Sequence, residues 1–398
     1  MAVQNPDLVS NGIKLGDGRL HPFLDLELRY DSYAGLNEQT GPFAELLAHF
    51  RPGLRFDLPL PNFDFTIGGD ADYVLYTGIL KPGDLANFSR LDYGANLSAA
   101  INRPGAIELD LNDTLSHNDR TRNAATTVGV LSLYNEVRAA VPIHPGGRAL
   151  EITPHGAFAL ENFTPLDCEN RASCPDPTNV AIQDYQNINF GLDASLRFLP
   201  KTALVLQTGV DMRNYPNDPG LTSNRPTTLL NATAGLQGLV TSRIAVVLRV
   251  GYGYDFLGTN ASTVIGSAEI SYLPTDLTTL KAGFTRVYQP VPVFGTYLDD
   301  RPYVEARTLL GGRLALHAYV AYDFLDFSNV KGAQGTVRHD QVLSVDAGPE
   351  YEFTRWLIGS LGVLYSKRIS DAAGLSNLQR SLTSFDRFEG FARLTFTY

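Results

Sequence analysis

The chain is poor in cysteine, in methionine and in long apolar runs. Of its 398 residues, two are Cys, two are Met and one is Trp. No stretch approaches the roughly 18 consecutive apolar residues of a membrane-crossing helix, which excludes a helical membrane protein. Basic residues are fewer than acidic ones, and the net charge of −10 argues against nucleic acid as a partner.

A secretion signal is also lacking. Met1 to Pro6 has neither a basic start nor an apolar core. For an exported protein, we interpret this beginning as that of a mature chain to which an initiating Met has been added. A cytoplasmic protein is the alternative.

What the chain has instead is alternation of apolar and polar residues, which indicates β-strands. At the C-terminus the apolar face holds Phe388, Gly390, Ala392, Leu394, Phe396 and Tyr398, and the other face holds Arg387, Glu389, Phe391, Arg393, Thr395 and Thr397. A strand of this kind that ends on an aromatic residue resembles the assembly signal of bacterial outer-membrane barrels. We assign that role to Phe388, Leu394, Phe396 and Tyr398.

The same alternation recurs along the whole chain. In the first strand Leu24, Leu26 and Leu28 alternate with charged residues, which suits leucines against lipid and charges in a water-filled lumen. The predicted strands cover 20–31, 43–57, 63–77, 90–101, 106–116, 126–141, 148–162, 185–199, 202–214, 227–240, 243–257, 263–273, 277–289, 301–311, 313–326, 339–353, 355–369 and 384–398. Because a lipid-facing sheet cannot leave an edge unpaired, we predict an all-β fold, a transmembrane antiparallel up-and-down barrel of about 18 strands.

Connections between the predicted strands alternate between short turns and long polar loops. Long loops mark the extracellular side of such barrels, so both termini are predicted to lie in the periplasm. We divide the chain into a periplasmic tail, 1–19, and an outer-membrane barrel, 20–398. The longest loop, 163–184, could fold inward as a constriction. Aromatic residues at strand ends predict two girdles, with Tyr252, Tyr254 and Phe256 at one rim and Phe198, Tyr272, Tyr351, Phe353 and Trp356 at the other.

Both cysteines, Cys168 and Cys174, fall in that longest loop. A disulfide that stiffens the loop suits an oxidising compartment. The alternative, a metal site, needs further ligands, and none is close in the sequence. We therefore predict a disulfide, no metal and no cofactor.

The predicted inward-facing residues form the candidate site. They are Arg29, Arg55, Asp70, Asp72, Arg90, Glu108, Asp110, Glu136, Arg138, Asp193, Arg197, Asp211, Arg213, Arg249, Glu269, Arg307, Asp346, Glu350, Arg387 and Glu389. Mixed charge of this kind suits the passage of neutral or weakly charged hydrated solutes, including sugars, whereas a purely basic ladder would favour anions. Salt-bridge ladders that brace a wide barrel are an equally weighted interpretation.

Features that suggest catalysis are weak. His117 and Asp119 lie at a predicted rim without a recognisable serine partner, and Asp299-Asp300-Arg301 could bind a cation, although such clusters are usually just solvated. We predict that the protein is not an enzyme.

The N-terminal run carries a family resemblance. Gly12-Ile13-Lys14-Leu15-Gly16, Leu20-His21-Pro22-Phe23-Leu24 and Tyr30-Asp31-Ser32 resemble the start of a β-barrel porin family associated with bacterial exopolysaccharide secretion. In that family Asn follows the Tyr-Asp-Ser segment, where this chain has Tyr33. The resemblance covers about 20 residues and implies an exit port for a secreted polysaccharide, working with a periplasmic polysaccharide export protein.

We therefore expect a monomeric channel in the bacterial outer membrane, in contact with lipid, lipopolysaccharide and the barrel assembly machinery. Polysaccharide export is the main functional hypothesis. The alternatives are a general diffusion porin and a structural barrel of a surface motility or envelope-spanning assembly.

Overall fold

A computed structural model describes residues 12–37, 41–82, 85, 88–119, 130–147, 149–166, 180–218, 226–257, 261–291, 295–331, 335, 337–371 and 384–398. Within these ranges the chain is nearly all β-strand, with one short 3-10 helix at Val180–Gln183. In this described part, no helix has the length and hydropathy that crossing a membrane would require.

The strands follow one another in chain order. They are β1 (Ile13–Leu15), β2 (Gly18–Asn37), β3 (Gly41–Leu60), β4 (Phe63–Tyr76), β5 (Arg90–Ile101), β6 (Leu109–Asn118), β7 (Val130–Ala140), β8 (Leu150–Pro165), β9 (Tyr185–Leu199), β10 (Thr202–Asn214), β11 (Thr227–Leu239), β12 (Ile244–Asp255), β13 (Ser262–Thr275), β14 (Thr278–Val291), β15 (Gly295–Leu310), β16 (Leu314–Lys331), β17 (Val337–Thr354), β18 (Leu357–Ser370) and β19 (Phe385–Thr397).

Strands β2 to β19 close into an antiparallel barrel. Each pairs with its neighbours in sequence, and β19 pairs with β2 from Glu389 opposite Asp31 to Thr397 opposite Phe23. In the described part of the chain, this closure involves 18 strands. The predicted fold class is confirmed.

Several strands extend beyond their predicted ends. The connection between the first two predicted strands, 20–31 and 43–57, is largely an extension of the β2–β3 hairpin, and β15 and β16 reach well into the connections predicted before 301–311 and before 339–353. These predictions of loop were wrong because strand ends outside the bilayer need no apolar face, and the alternation therefore fades there. Strand β1 pairs with the beginning of β2, in a stretch predicted as an irregular tail.

The outer surface of the barrel is an apolar belt. Side chains such as Leu54, Val250, Val264 and Leu361 are more than half exposed, as lipid-facing residues must be when the protein is stripped of its membrane. Aromatic residues predicted for the girdles, including Tyr252 and Trp356, are also exposed on this surface.

The carboxylate of Asp113 interrupts this belt. Asp113 of β6 is directly opposite Val137 of β7, and Val137 is 48% exposed on the outer face. Residues directly opposite in an antiparallel pair share a face, so Asp113 also points outward. Asn135 donates a 2.8 Å hydrogen bond to it. Lipid contact at this position is costly for a carboxylate.

The buried apolar residues that pack against one another lie inside the barrel, at the end that carries the long connections. They form four separate clusters rather than one core. Their members include Leu47 and Val74 near β3 and β4, Tyr185 and Tyr215 near β9 and β10, Leu229 and Ile265 of β11 and β13, and Leu325 and Phe327 of β16. The lumen is therefore packed at its long-loop end.

Candidate functional site

The strand pairing sets which side chains point into the barrel. Starting from the exposed leucines of β2, the register carries the inward face from strand to strand around the barrel. Nineteen of the sequence-predicted lumen residues lie on this face within strands, namely Arg29, Arg55, Asp70, Asp72, Arg90, Asp110, Glu136, Arg138, Asp193, Arg197, Asp211, Arg213, Arg249, Glu269, Arg307, Asp346, Glu350, Arg387 and Glu389. Whether they line the path of a solute stays a prediction.

Glu108 precedes β6 rather than lying within it. It lines a cavity of about 430 Å³ at the short-turn end, together with Arg103, His144 and Glu151. Burial raises the pKa of the Glu108 carboxyl, and the charge of Asp110 adds to the effect.

A network of ion pairs joins β19 to β2, the two strands whose pairing closes the barrel. Arg387 of β19 contacts Asp31 of β2 at 2.6 Å, Glu389 at 3.3 Å and Asp119 at 3.2 Å. Asp31 is fully buried. Nearer the short-turn end, Arg29 and Arg393 each lie 2.5 Å from Glu27. The Arg393–Glu27 pair, and the Arg29–Glu389 pair at 3.0 Å, join the two strands that close the barrel.

The network continues across β4 and β5. Arg90 donates hydrogen bonds to Asp92 at 3.0 Å and to the Tyr76 hydroxyl at 3.1 Å, and it lies 3.4 Å from Asp119. His117 stacks on Tyr93 with ring centroids 4.9 Å apart. These contacts give Asp119 and His117 structural roles, and we assign no catalytic function to them.

Further inward charges were not among the sequence-predicted site residues. Arg51 donates a 2.6 Å hydrogen bond to Asp70, His49 lies 3.0 Å from Asp72, and buried Glu45 accepts backbone hydrogen bonds from Leu80 and Lys81. Glu45, His49 and Arg51 alternate with apolar residues along β3, and this alternation was enough to predict from the sequence that they face inward. Glu45 also anchors the start of the β4–β5 connection at the barrel mouth.

In the wall of β9 to β12, the charged side chains hydrogen-bond mainly to the amide side chains of Asn and Gln. Asp211 accepts a 2.9 Å hydrogen bond from Asn189, and Arg249 donates to Gln207 at 2.7 Å and Gln237 at 3.2 Å. Neighbouring Arg197 is exposed to the lumen. This wall presents cationic and amide groups to water.

The wall of β13 to β17 carries tyrosines and carboxylates. The Tyr303 ring lies across Gly283, which has no side chain to displace it, and its hydroxyl donates a hydrogen bond to Glu269. Lys281 lies 3.2 Å from Glu305, and His317 lies 3.1 Å from Asp346. All of these side chains are half-buried and face the water-accessible part of the lumen.

Part of the long-loop end is filled by the β14–β15 hairpin. Strand β14 pairs with β13 only as far as Arg286, opposite Gly266, and then continues with β15 alone. Beyond that point Tyr288 packs against Leu229 and Ile265, which belong to the inner faces of β11 and β13. The hairpin therefore leans into the barrel.

The leaning hairpin reaches β10 while its second strand, β15, stays paired with β16. Arg213 of β10 donates a 3.2 Å hydrogen bond to the carbonyl of Pro290. On the other side, Val291 and Tyr297 pack against Leu325 and Phe327 of β16. The hairpin thus narrows the mouth from β10 across to β16, and residues 292–294 lie outside the described ranges.

Some inward charges at the short-turn end are exposed, whereas one cluster at the long-loop end is fully buried. At the short-turn end the side chains of Arg55 and Glu151 are 45% and 42% exposed. At the opposite end Arg338, Asp340 and Arg368 form a cluster whose side chains have no exposure at all. Exposed ionisable groups therefore lie in the short-turn half, and the narrowing lies in the long-loop half.

The remaining predicted site residues have varied placements. Phe388, Leu394 and Tyr398 are exposed on the outer face, and Phe396 packs near Trp356 at a centroid distance of 6.3 Å. A role in assembly stays a prediction. Cys168 and Cys174 lie outside the described residues, as does most of the 163–184 loop.

Comparison by sequence finds no matching family model and no matching curated protein. Comparison by structure finds outer-membrane barrels. OccAB3 of Acinetobacter baumannii matches with a TM-score of 0.51 and 9% identity, over 96% of this chain and all of that one. The outer membrane protein OpdK of Pseudomonas aeruginosa matches with a TM-score of 0.50 and 14% identity, over 96% and 99% of the two chains. The ferric enterobactin receptor PfeA of Pseudomonas aeruginosa matches with a TM-score of 0.50 and 9% identity, over 95% and 81%.

At these identities the likeness shows the fold. The closed sheet, the apolar belt and the matched structures agree on one class. The protein is a β-barrel of the bacterial outer membrane.

Proposed function

We propose that the barrel is a channel through which small hydrophilic solutes diffuse across the outer membrane. The observation that carries this proposal is the inner surface of the short-turn half, where ionisable side chains such as Arg55, Glu151 and Asp193 remain exposed to water inside a closed wall. Barrels of this strand number are wide enough to leave an aqueous lumen. Diffusion through that lumen, narrowed at the long-loop end, is the function that the geometry supports best.

The packed mouth favours small solutes over polymers. A polysaccharide in transit needs a continuous bore through both ends, whereas the β14–β15 hairpin crosses the mouth between β10 and β16. The structures matched above also give the exopolysaccharide resemblance no support. General diffusion, the alternative drawn from the sequence, therefore replaces polysaccharide export as the leading hypothesis.

Liposome swelling tests the proposal directly. Vesicles that contain the refolded protein are diluted into isotonic solutions of a pentose, a disaccharide and a long oligosaccharide. We expect swelling that is fast with the pentose, slower with the disaccharide and absent with the oligosaccharide. Equal swelling with all three sugars would favour the polymer exit port, and no swelling with any of them would contradict a channel.

A further inference from the structure

The inner wall of β13 to β17 is more acidic than basic. We define the acidic wall as the inward carboxylates of these strands, Glu269, Asp299, Glu305, Asp323, Asp340, Asp346, Glu350 and Glu352. The Lys and Arg side chains on the same described faces of β13 to β17 are Lys281, Arg301, Arg307 and Arg338. Carboxylates therefore outnumber cations on this wall.

In the ranges that the structure describes, Lys281, Arg301 and Arg338 are engaged in ion pairs within 4.0 Å, whereas Arg307 and several of the carboxylates are not. Lys281 pairs with Glu305 at 3.2 Å, and Arg301 contacts both Asp299, at 3.3 Å, and Asp323. Among the described residues, Glu269 and Glu350 have no Lys or Arg within 4.0 Å, and their partners are the hydroxyls of Tyr303, Ser271 and Ser360.

Aromatic faces border these carboxylates. Tyr303 and Tyr319 lie side by side on the inner wall, with ring centroids 6.1 Å apart. Both are half-buried, so part of each ring faces the lumen. An aromatic face attracts a cation through the ring quadrupole, and the attraction adds to that of the neighbouring carboxylates.

An unsatisfied acceptor lies at the long-loop end of the wall. Asp299 is 2% exposed, and Arg301 contacts its Oδ2 atom, whereas its Oδ1 atom has no hydrogen-bond partner within the described part of the chain. A buried acceptor without a donor is costly. The sequence had suggested a solvated cluster here, whereas the structure buries Asp299 beside Arg301 and Asp323.

We propose that the channel selects small organic cations, with ammonium or guanidinium groups, and that they pass along the acidic wall. This inference rests on the proposed channel function. Lines of carboxylates favour cations in aqueous pores. The described residues hold no group of three or more His, Cys, Asp or Glu suited to a metal ion, which favours a cation with N–H donors over a bare metal.

Reversal potentials in planar bilayers test the selectivity. The refolded protein is inserted into the bilayer, and the reversal potential is measured first in a KCl gradient and then with ethylammonium chloride on one side of the bilayer. We expect potassium to be preferred over chloride, and ethylammonium to permeate. In the triple variant Glu269→Gln, Asp346→Asn, Glu350→Gln, the cation preference should fall severalfold.

A matched control variant distinguishes the effect of the acidic wall from the effect of removing the same charge elsewhere in the lumen. The triple variant Asp110→Asn, Glu136→Gln, Asp193→Asn removes the same charge from β6 to β9, and we expect it to shift the reversal potential much less. If the triple variant of the acidic wall does not fold, the single variant Glu269→Gln replaces it, because glutamine keeps a hydrogen-bond acceptor for Tyr303. We expect its reversal potential to shift in the same direction. Anion preference in the parent channel, or equal shifts in the two triple variants, would overturn the inference while leaving the channel intact. A barrel without conductance would overturn the channel itself.

Discussion

Arg387 of β19 donates a 2.6 Å hydrogen bond to Asp31 of β2, so a buried ion pair joins the last strand of the barrel to the first. The backbone pairing of these strands closes the sheet, and the ion pair fixes their register near the long-loop end. The neighbouring Glu389 and Asp119 carboxylates share the same guanidinium.

Removing the guanidinium should destabilise the barrel strongly. Arg387→Ala leaves Asp31 buried and unpaired, and we expect the free energy of unfolding to fall by about 3–5 kcal/mol. Urea unfolding in lipid vesicles, followed by fluorescence of Trp356, measures the change. The control Arg55→Ala, in which the exposed pair with Asp57 is lost, should cost about 1 kcal/mol or less. Similar losses in the two variants would show that the strand closure does not depend on this pair.

The sequence predicted the barrel well because its signal is local. Alternation along single strands, as in Leu24 to Arg29, is enough to assign strand, face and lumen, and the same rule predicted that Arg387 faces inward. The pairing of Arg387 with Asp31 follows from closure, which requires only that the last strand meets the first.

The β14–β15 hairpin could not be predicted in the same way. Its inclination depends on where β14 separates from β13, and nothing in the residues after Arg286 distinguishes a hairpin that leans inward from one that projects into solvent. Contacts such as Tyr288 with Leu229 join strands that are three positions apart in the barrel. Alternation carries no information about such contacts.

Loosening this hairpin should widen the channel. Tyr288→Ala removes the ring that packs against Leu229 and Ile265, so we expect a larger single-channel conductance with more frequent fluctuations. The matched control is Tyr322→Ala, since the Tyr322 hydroxyl bonds Gln341 on the outer face of β16 and β17. Unchanged conductance in the Tyr288 variant would mean that the hairpin does not limit the path.

The outward carboxylate of Asp113 should be a weak point of the lipid-facing surface. The double variant Asp113→Leu, Asn135→Leu replaces a hydrogen-bonded polar pair with apolar groups, and we expect a gain of about 1–2 kcal/mol in vesicles. Urea unfolding by Trp356 fluorescence measures the gain. Asp64→Leu, on the inner face beside Arg103, should give none. A loss of stability in the double variant would indicate that Asp113 does not contact lipid.

Single-channel recording tests the existence of a continuous aqueous lumen most directly. Purified protein added to a planar bilayer in KCl should produce stepwise increases in current, one step for each barrel inserted. A bilayer that stays ion-tight, although folded protein is shown to have inserted, would contradict the channel.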